Sequence, residues 1–157
     1  MRRASFIGVA VTAAASLGVS GIAPAAGKPR HKRSFTAVLA GAQVSTNGNR
    51  FETVYRVIRS PDGGGAAVQD GVLLGSTYPA TSNDTMRLFY ADGVQRVSDT
   101  LTRAAPHTDG IGEISGKGTC TTGSGLHKGE TCTYTITGTY DLNTGVTKLR
   151  FAGTFTR

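Results

Sequence analysis

Cys120 and Cys132 are the only thiols in the 157-residue chain, and they flank a Gly-rich stretch. An even pair in an oxidising compartment reads as one disulfide. Closing a loop of that size stabilises by about 3 kcal/mol in the chain-entropy model. Two separate buried thiols are the alternative. Zinc needs tighter ligand spacing and further partners, so no metal is expected. The three histidines, His31, His107 and His127, stand apart in sequence. His107 with Asp109 supplies half of a Ser-His-Asp arrangement, but no nucleophile elbow accompanies it, and loop His and Asp are more often turn formers.

Four further charges fall inside strand-like runs. Glu52 and Arg56 share one strand face, and Glu113 and Lys117 share another. If those faces line an interior, Arg56 and Glu113 are the candidate ligand-binding residues, able to polarise a bound molecule or exchange a proton with it. If they face water, they are cross-strand ion pairs of small worth. Gly63-Gly64-Gly65 lacks the Lys-Ser/Thr and the following helix of a phosphate loop. No catalytic residue can be assigned and no cofactor is expected.

Short runs rich in β-branched and aromatic residues, bounded by Gly, Asn, Asp or Pro, must position these groups. The pattern predicts strands over 34–40, 50–59, 66–76, 85–90, 94–103, 110–120, 130–142 and 146–156, with Gly71 as a bulge. Asp92-Gly93 marks a tight turn, and Asn143-Thr144-Gly145 a hairpin loop. No segment between them has the length and period of an amphipathic helix. With linkers this short, neighbours pair antiparallel, giving an all-β sandwich or closed barrel. Along the seventh run Cys132, Tyr134, Ile136, Gly138 and Tyr140 share a face opposed by threonines. Along the eighth, Leu149, Phe151, Gly153 and Phe155 do the same. Glycines on the apolar face fit the curvature of a small barrel.

The N-terminus reads as an address. Met1-Arg2-Arg3, an uncharged apolar run from Phe6 to Ile22, and Ala23-Pro24-Ala25-Ala26 make a secretory signal peptide over 1–26, cut after Ala25 or Ala26. Ser5 displaces Phe6 by one place from the twin-arginine pattern, which favours Sec export. Residues 27–33 hold Lys28, Arg30, Lys32 and Arg33 and read as a basic disordered arm. The barrel domain then spans 34–157. No later apolar run is long enough for a transmembrane segment. The net charge of +7 arises almost entirely here: six of the 17 Lys and Arg lie in the first 33 residues, leaving 11 against 10 acidic side chains. A near-neutral domain gives no basis for a nucleic-acid-binding face.

The runs Gly116-Lys117-Gly118-Thr119-Cys120, Gly123-Ser124-Gly125, Tyr134-Thr135-Ile136-Thr137-Gly138-Thr139-Tyr140 and Phe151-Ala152-Gly153-Thr154-Phe155 resemble the allene oxide cyclase and dirigent barrel superfamily. Weaker markers extend back to about Phe35, including Tyr55, Val57 and Ser60-Pro61-Asp62-Gly63. The resemblance implies an eight-stranded antiparallel β-barrel. It departs at Thr122-Gly123-Ser124-Gly125, where a Gly-Gly-Thr-Gly loop is usual, and Leu126-His127-Lys128-Gly129 looks inserted. No catalytic residue carries over. Because the superfamily contains trimers and dimers, a homo-oligomer stays open. Three functional expectations follow for an exported protein of the extracellular space or cell envelope. The first is non-enzymatic binding of a small apolar ligand or partner, through a mouth rimmed by the loops Pro79–Asp84 and Ala104–Asp109. The second is an enzyme that confines a hydrophobic intermediate, as a cyclase or dirigent protein does. The third is a structural role in the envelope through the basic arm.

Overall fold

A computed structural model describes residues 31–156, so the signal-peptide segment 1–26 and the first part of the basic arm lie outside the described residues. The chain forms β1 (Lys32–Asn47), β2 (Arg50–Arg59), β3 (Gly65–Leu73), β4 (Ala80–Tyr90), β5 (Gly93–Arg103), β6 (Ile111–Gly123), a short 3-10 turn η1 (Gly125–His127), β7 (Thr131–Asp141) and β8 (Val146–Thr156). The eight strands pair in sequence order and close into a barrel as β1 meets β8. Every pairing is antiparallel. The sequence-based class is therefore correct, and the sandwich is excluded.

Several boundaries differ from expectation, with β3 ending early at Leu73 and β6 running on to Gly123. β1 begins at Lys32, where Lys32 and Arg33, assigned to the arm from their charge, pair with Thr156 and Phe155. It also runs through Gly41 to Asn47, because Gly41 is a packing residue and not a turn. β4 begins at Ala80, so Ala80–Asp84, expected in a rim loop, is strand. Gly71 pairs in regular register with Phe51 and Asp84, so there is no bulge there.

What builds the core is a repeated pairing of a large inward side chain with a glycine on the neighbouring strand. Tyr55 faces Gly41, Phe51 faces Gly71, and Tyr140 faces Gly112. Leu101 faces Gly116, and Leu149 faces Gly138. Tyr134 lies between two, Gly118 and Gly153. A Cβ at Gly112 would stand 2.3 Å from the Tyr140 ring, and one at Gly41 2.6 Å from that of Tyr55. The missing side chains let big rings lie flat across their neighbours, which fills a narrow barrel without Trp.

The two ends are unlike. At one, η1, within the β6–β7 connection, folds inward and buries His127 completely. The Cys120–Cys132 disulfide, with Cα atoms 4.9 Å apart, ties the strands just where they part to form this plug. Inside that end, among Phe35, Leu88, Val97, Phe151 and Phe155, only about 30 Å³ is free, room for about one water. Replacing both cysteines with serine is expected to cost about 2–4 kcal/mol, read as a lower urea midpoint at an unchanged slope. An unchanged midpoint would show that η1 holds itself in place.

Candidate functional site

The opposite mouth is open. It is rimmed by the turns after β1, β3, β5 and β7; of the two loops expected there, Ala104–Asp109 lies in the turn after β5, whereas only Pro79 of Pro79–Asp84 lies in the turn after β3. Inside it is a cup of about 440 Å³. Its walls are Phe51, Thr53 and Tyr55 of β2, Ala80 of β4, Arg103 of β5 and Tyr140 of β7, with Tyr78 over the rim. These residues reach the cup by strand alternation: Phe51, Thr53 and Tyr55 occupy every second position and are all buried. Tyr78 stacks on Tyr140 with ring centroids 6.3 Å apart, and the Tyr140 hydroxyl donates to the Ala104 carbonyl at 2.6 Å. The Arg103 guanidinium lies 4.7 Å from the centre of the Phe51 ring and donates to Ser82 Oγ at 2.7 Å.

Beneath the cup the interior is polar. Asp84 and Asp99 are direct cross-strand partners on β4 and β5, and both point inward, 2% and 3% exposed. Ser82 donates to Asp84 Oδ2 at 3.0 Å, and the Tyr134 hydroxyl donates to Asp99 Oδ1. Tyr55 donates to Gln69 Oε1 at 2.7 Å, and Gln69 is fully buried. Asp84 Oδ1, Asp99 Oδ2 and Gln69 Nε2 have no protein partner. The cross-strand glycines make room for the acids: a Cβ at Gly71 would lie 2.2 Å from Asp84 Oδ1, and one at Gly118 2.1 Å from Asp99 Oδ1.

Burial dominates the acid–base behaviour of this layer, because a low-dielectric interior disfavours a carboxylate. It pushes Asp84 up to about 6, against the opposing pull of Arg103 and the Ser82 hydrogen bond. It pushes Asp99 up to about 7, where the Tyr134 hydrogen bond opposes it and the Asp84 charge adds to it. Two close carboxyls that resist joint ionisation form an acid–base pair able to hold one proton near neutrality. Desolvation likewise raises the Tyr55 and Tyr134 phenols, which stay neutral donors.

The residues singled out from sequence lie elsewhere. Arg56 and Glu113 are exposed on the outer wall, as is Lys117, and Glu52 is half-buried on the outward face of β2, so none lines the interior. His31 and His107 are exposed. Asp109 accepts from the Ile111 amide at 2.9 Å and shapes the turn before β6. His127 belongs to the plug, with Nδ1 2.8 Å from Glu130 Oε2 and Nε2 3.5 Å from Asp92 Oδ1. Sequence reasoning missed Arg103, Asp84 and Asp99. The spacing Val97, Asp99, Leu101 and Arg103 carries the signal, since it sets the acid and the cation on the face of two core residues. No group of three or more His, Cys, Asp or Glu able to hold a metal occurs among the described residues.

Fold and site together define a closed eight-stranded antiparallel barrel with one plugged end and one aromatic cup. No family model, curated protein or solved structure matches the chain.

Proposed function

We propose that the barrel binds a small apolar molecule in the cup at its open mouth. The observation that carries this reading is the cup itself. At about 440 Å³ it lies within the range of small-molecule sites, and it sets the rings of Phe51, Tyr55, Tyr78 and Tyr140 around a single guanidinium. The plugged end leaves too little space for a ligand to pass through, so the occupant enters and leaves by this mouth. Export in the form that the N-terminal segment implies agrees with the Cys120–Cys132 disulfide, a bond that persists in oxidising compartments. Native mass spectrometry after incubation with a pool of apolar metabolites tests the proposal. A retained small molecule is expected, and Ala80→Phe, which fills the cup from β4, is expected to abolish retention while the barrel stays folded. Retention that survives Ala80→Phe would place the ligand elsewhere.

A second reading is an enzyme of the cyclase or dirigent kind, which the sequence resemblance implies. The Asp84–Asp99 pair favours it, because carboxyls that burial pushes up to about 6 and about 7 are suited to proton transfer near neutral pH. Conversion of the retained molecule, lost in Asp84→Asn or Asp99→Asn, would establish it.

A further inference from the structure

We propose that the occupant of the mouth carries an anionic head group held by Arg103, and that protonation of Asp84 strengthens this hold. The inference rests on the reading of the mouth as a ligand site and adds the ligand's charge and a proton-linked control. Among the described residues Arg103 is the only cation lining the cup, and no carboxylate forms an ion pair with it. One of its nitrogens is fixed on Ser82 and its flat face lies over Phe51. That orients the guanidinium fork, and a planar fork with free donors is a receptor for carboxylate, sulfonate or phosphate.

The control runs through a short chain. Arg103 donates to Ser82 Oγ, and Ser82 donates to Asp84 Oδ2. The Asp84 carboxylate thus lies one hydroxyl away from the cation, and the Arg103 charge in turn acts on Asp84. When Asp84 is ionised it offsets part of the positive field that an incoming anion meets. When it is protonated that field is released, so an anion binds more tightly as pH falls through about 6. The groups facing Asp84 are accounted for. β5 contributes Asp99 and Arg103, β2 contributes Tyr55, and Tyr134 of β7 reaches Asp99. On β3 the neighbours are Gln69 and Gly71, both uncharged. Both phenols stay neutral through the range, and Asp99 titrates in the same direction as Asp84, adding to the effect. At the rim, Asp141 accepts from Thr144 and Asn143, which hold its carboxyl below the usual range, so its charge is constant above pH 5.

Two fluorescent naphthylamines of similar shape test this on the full-length protein. 8-Anilinonaphthalene-1-sulfonate keeps its negative charge across the pH range, whereas N-phenyl-1-naphthylamine is neutral at pH 5 and 8.5. The sulfonate is expected to bind about tenfold more tightly at pH 5 than at pH 8.5, because protonation removes the opposing Asp84 charge, while the neutral probe binds alike at both. Arg103→Gln should remove the sulfonate's advantage over the neutral probe, and Arg103→Lys should restore part of it. Asp84→Asn should give tight sulfonate binding at pH 8.5 and a flatter profile. If the neutral probe binds and the sulfonate gains nothing at pH 5, or gains it equally in Arg103→Gln and Arg103→Lys, the inference fails while the ligand site stands. If Ala80→Phe leaves both probes bound as before, the site reading itself fails.

Discussion

Asp99→Asn is expected to raise the thermal midpoint at pH 8 by about 5–10 °C and to leave it nearly unchanged at pH 4.5. In the folded barrel Asp99 is 3% exposed and its pKa is pushed up to about 7, chiefly by burial. Asp84 is pushed up to about 6 by the same cause. In the unfolded chain both return to about 3.9, so the folded state holds protons more tightly than the unfolded one. The stability that this linkage contributes is full below about pH 4 and is lost as pH rises through about 6 and then about 7. Wild type should therefore melt higher at pH 5 than at pH 8. Raising a carboxyl from about 3.9 to about 7 corresponds to about 4 kcal/mol at most, and a few kcal/mol in a domain of this size moves the midpoint by several degrees. Asparagine keeps an oxygen for the Tyr134 hydroxyl, so the substitution removes the charge and not the hydrogen bond. Asp84→Asn should act in the same direction but less, because Arg103 and Ser82 already offset part of its cost. Circular-dichroism melts of wild type and both variants between pH 4.5 and 8.5 check this. A wild-type midpoint that climbs from pH 5 to pH 8 would sink it.

Two carboxyls that weaken the fold at neutral pH need a reason to be there. A barrel of this size could fill those positions with Val or Leu, as it does at Val97 and Leu101 on either side of Asp99. Strongly displaced pKa values gather where a protein does chemistry or binds ligands, and stability is commonly lost there for function. The position of the pair, directly below an aromatic cup and coupled to Arg103 in its wall, makes the same argument from geometry.

The wall of the barrel was far more legible than its site. β8 lies where its alternation of Leu149, Phe151 and Phe155 against Lys148, Arg150 and Thr154 set it, and β2 matches at both ends. In such strands one face is mostly apolar, and a period of two is easily read. β4 is different. Its opening run, Thr81-Ser82-Asn83-Asp84-Thr85, has no apolar member, and Asn and Asp are depleted in strands and favoured in turns. Ser82 and Asp84 nevertheless share the inward face with Met86 and Leu88. The polar inward face that makes the site is what erased the strand signal. Charge misled in the other direction: Arg56 and Glu113 drew attention because they interrupt apolar strands, yet they occupy the outward positions that alternation predicts. Arg103 escaped because it ends its strand, where a cation usually reaches solvent; the β4–β5 pairing brings Ser82 to it, and the curved wall brings Phe51 from β2.

Gly153→Ala is expected to be the most damaging single-methyl change in the barrel, leaving little soluble protein or costing more than about 3 kcal/mol. A Cβ at this position would stand 2.1 Å from the Thr133 carbonyl oxygen and 2.6 Å from Tyr134 Cα. Both are backbone atoms of β7, and Gly153 pairs directly with Tyr134, so the clash can be relieved only by prising apart two hydrogen-bonded strands. Side chains in a packed interior yield to an added methyl at about 1–3 kcal/mol, but a ladder has no comparable slack. Movement there is also felt at the site, since Tyr134 spans Gly118 and Gly153 and carries its hydroxyl to Asp99. Two comparisons isolate the cause. Ala152→Thr, one residue away on the exposed face, adds more atoms and should change stability by less than about 0.5 kcal/mol. Gly145→Ala puts its methyl into open space but at φ +70, and should cost only about 1 kcal/mol through backbone strain. Urea titrations of the three proteins give the order directly. Should Gly153→Ala fall no further than Gly145→Ala, the pairing of rings with facing glycines would be an accident of composition; the wide gap expected between them makes it the device that lets a Trp-free sequence close a barrel and still bury two acids inside it.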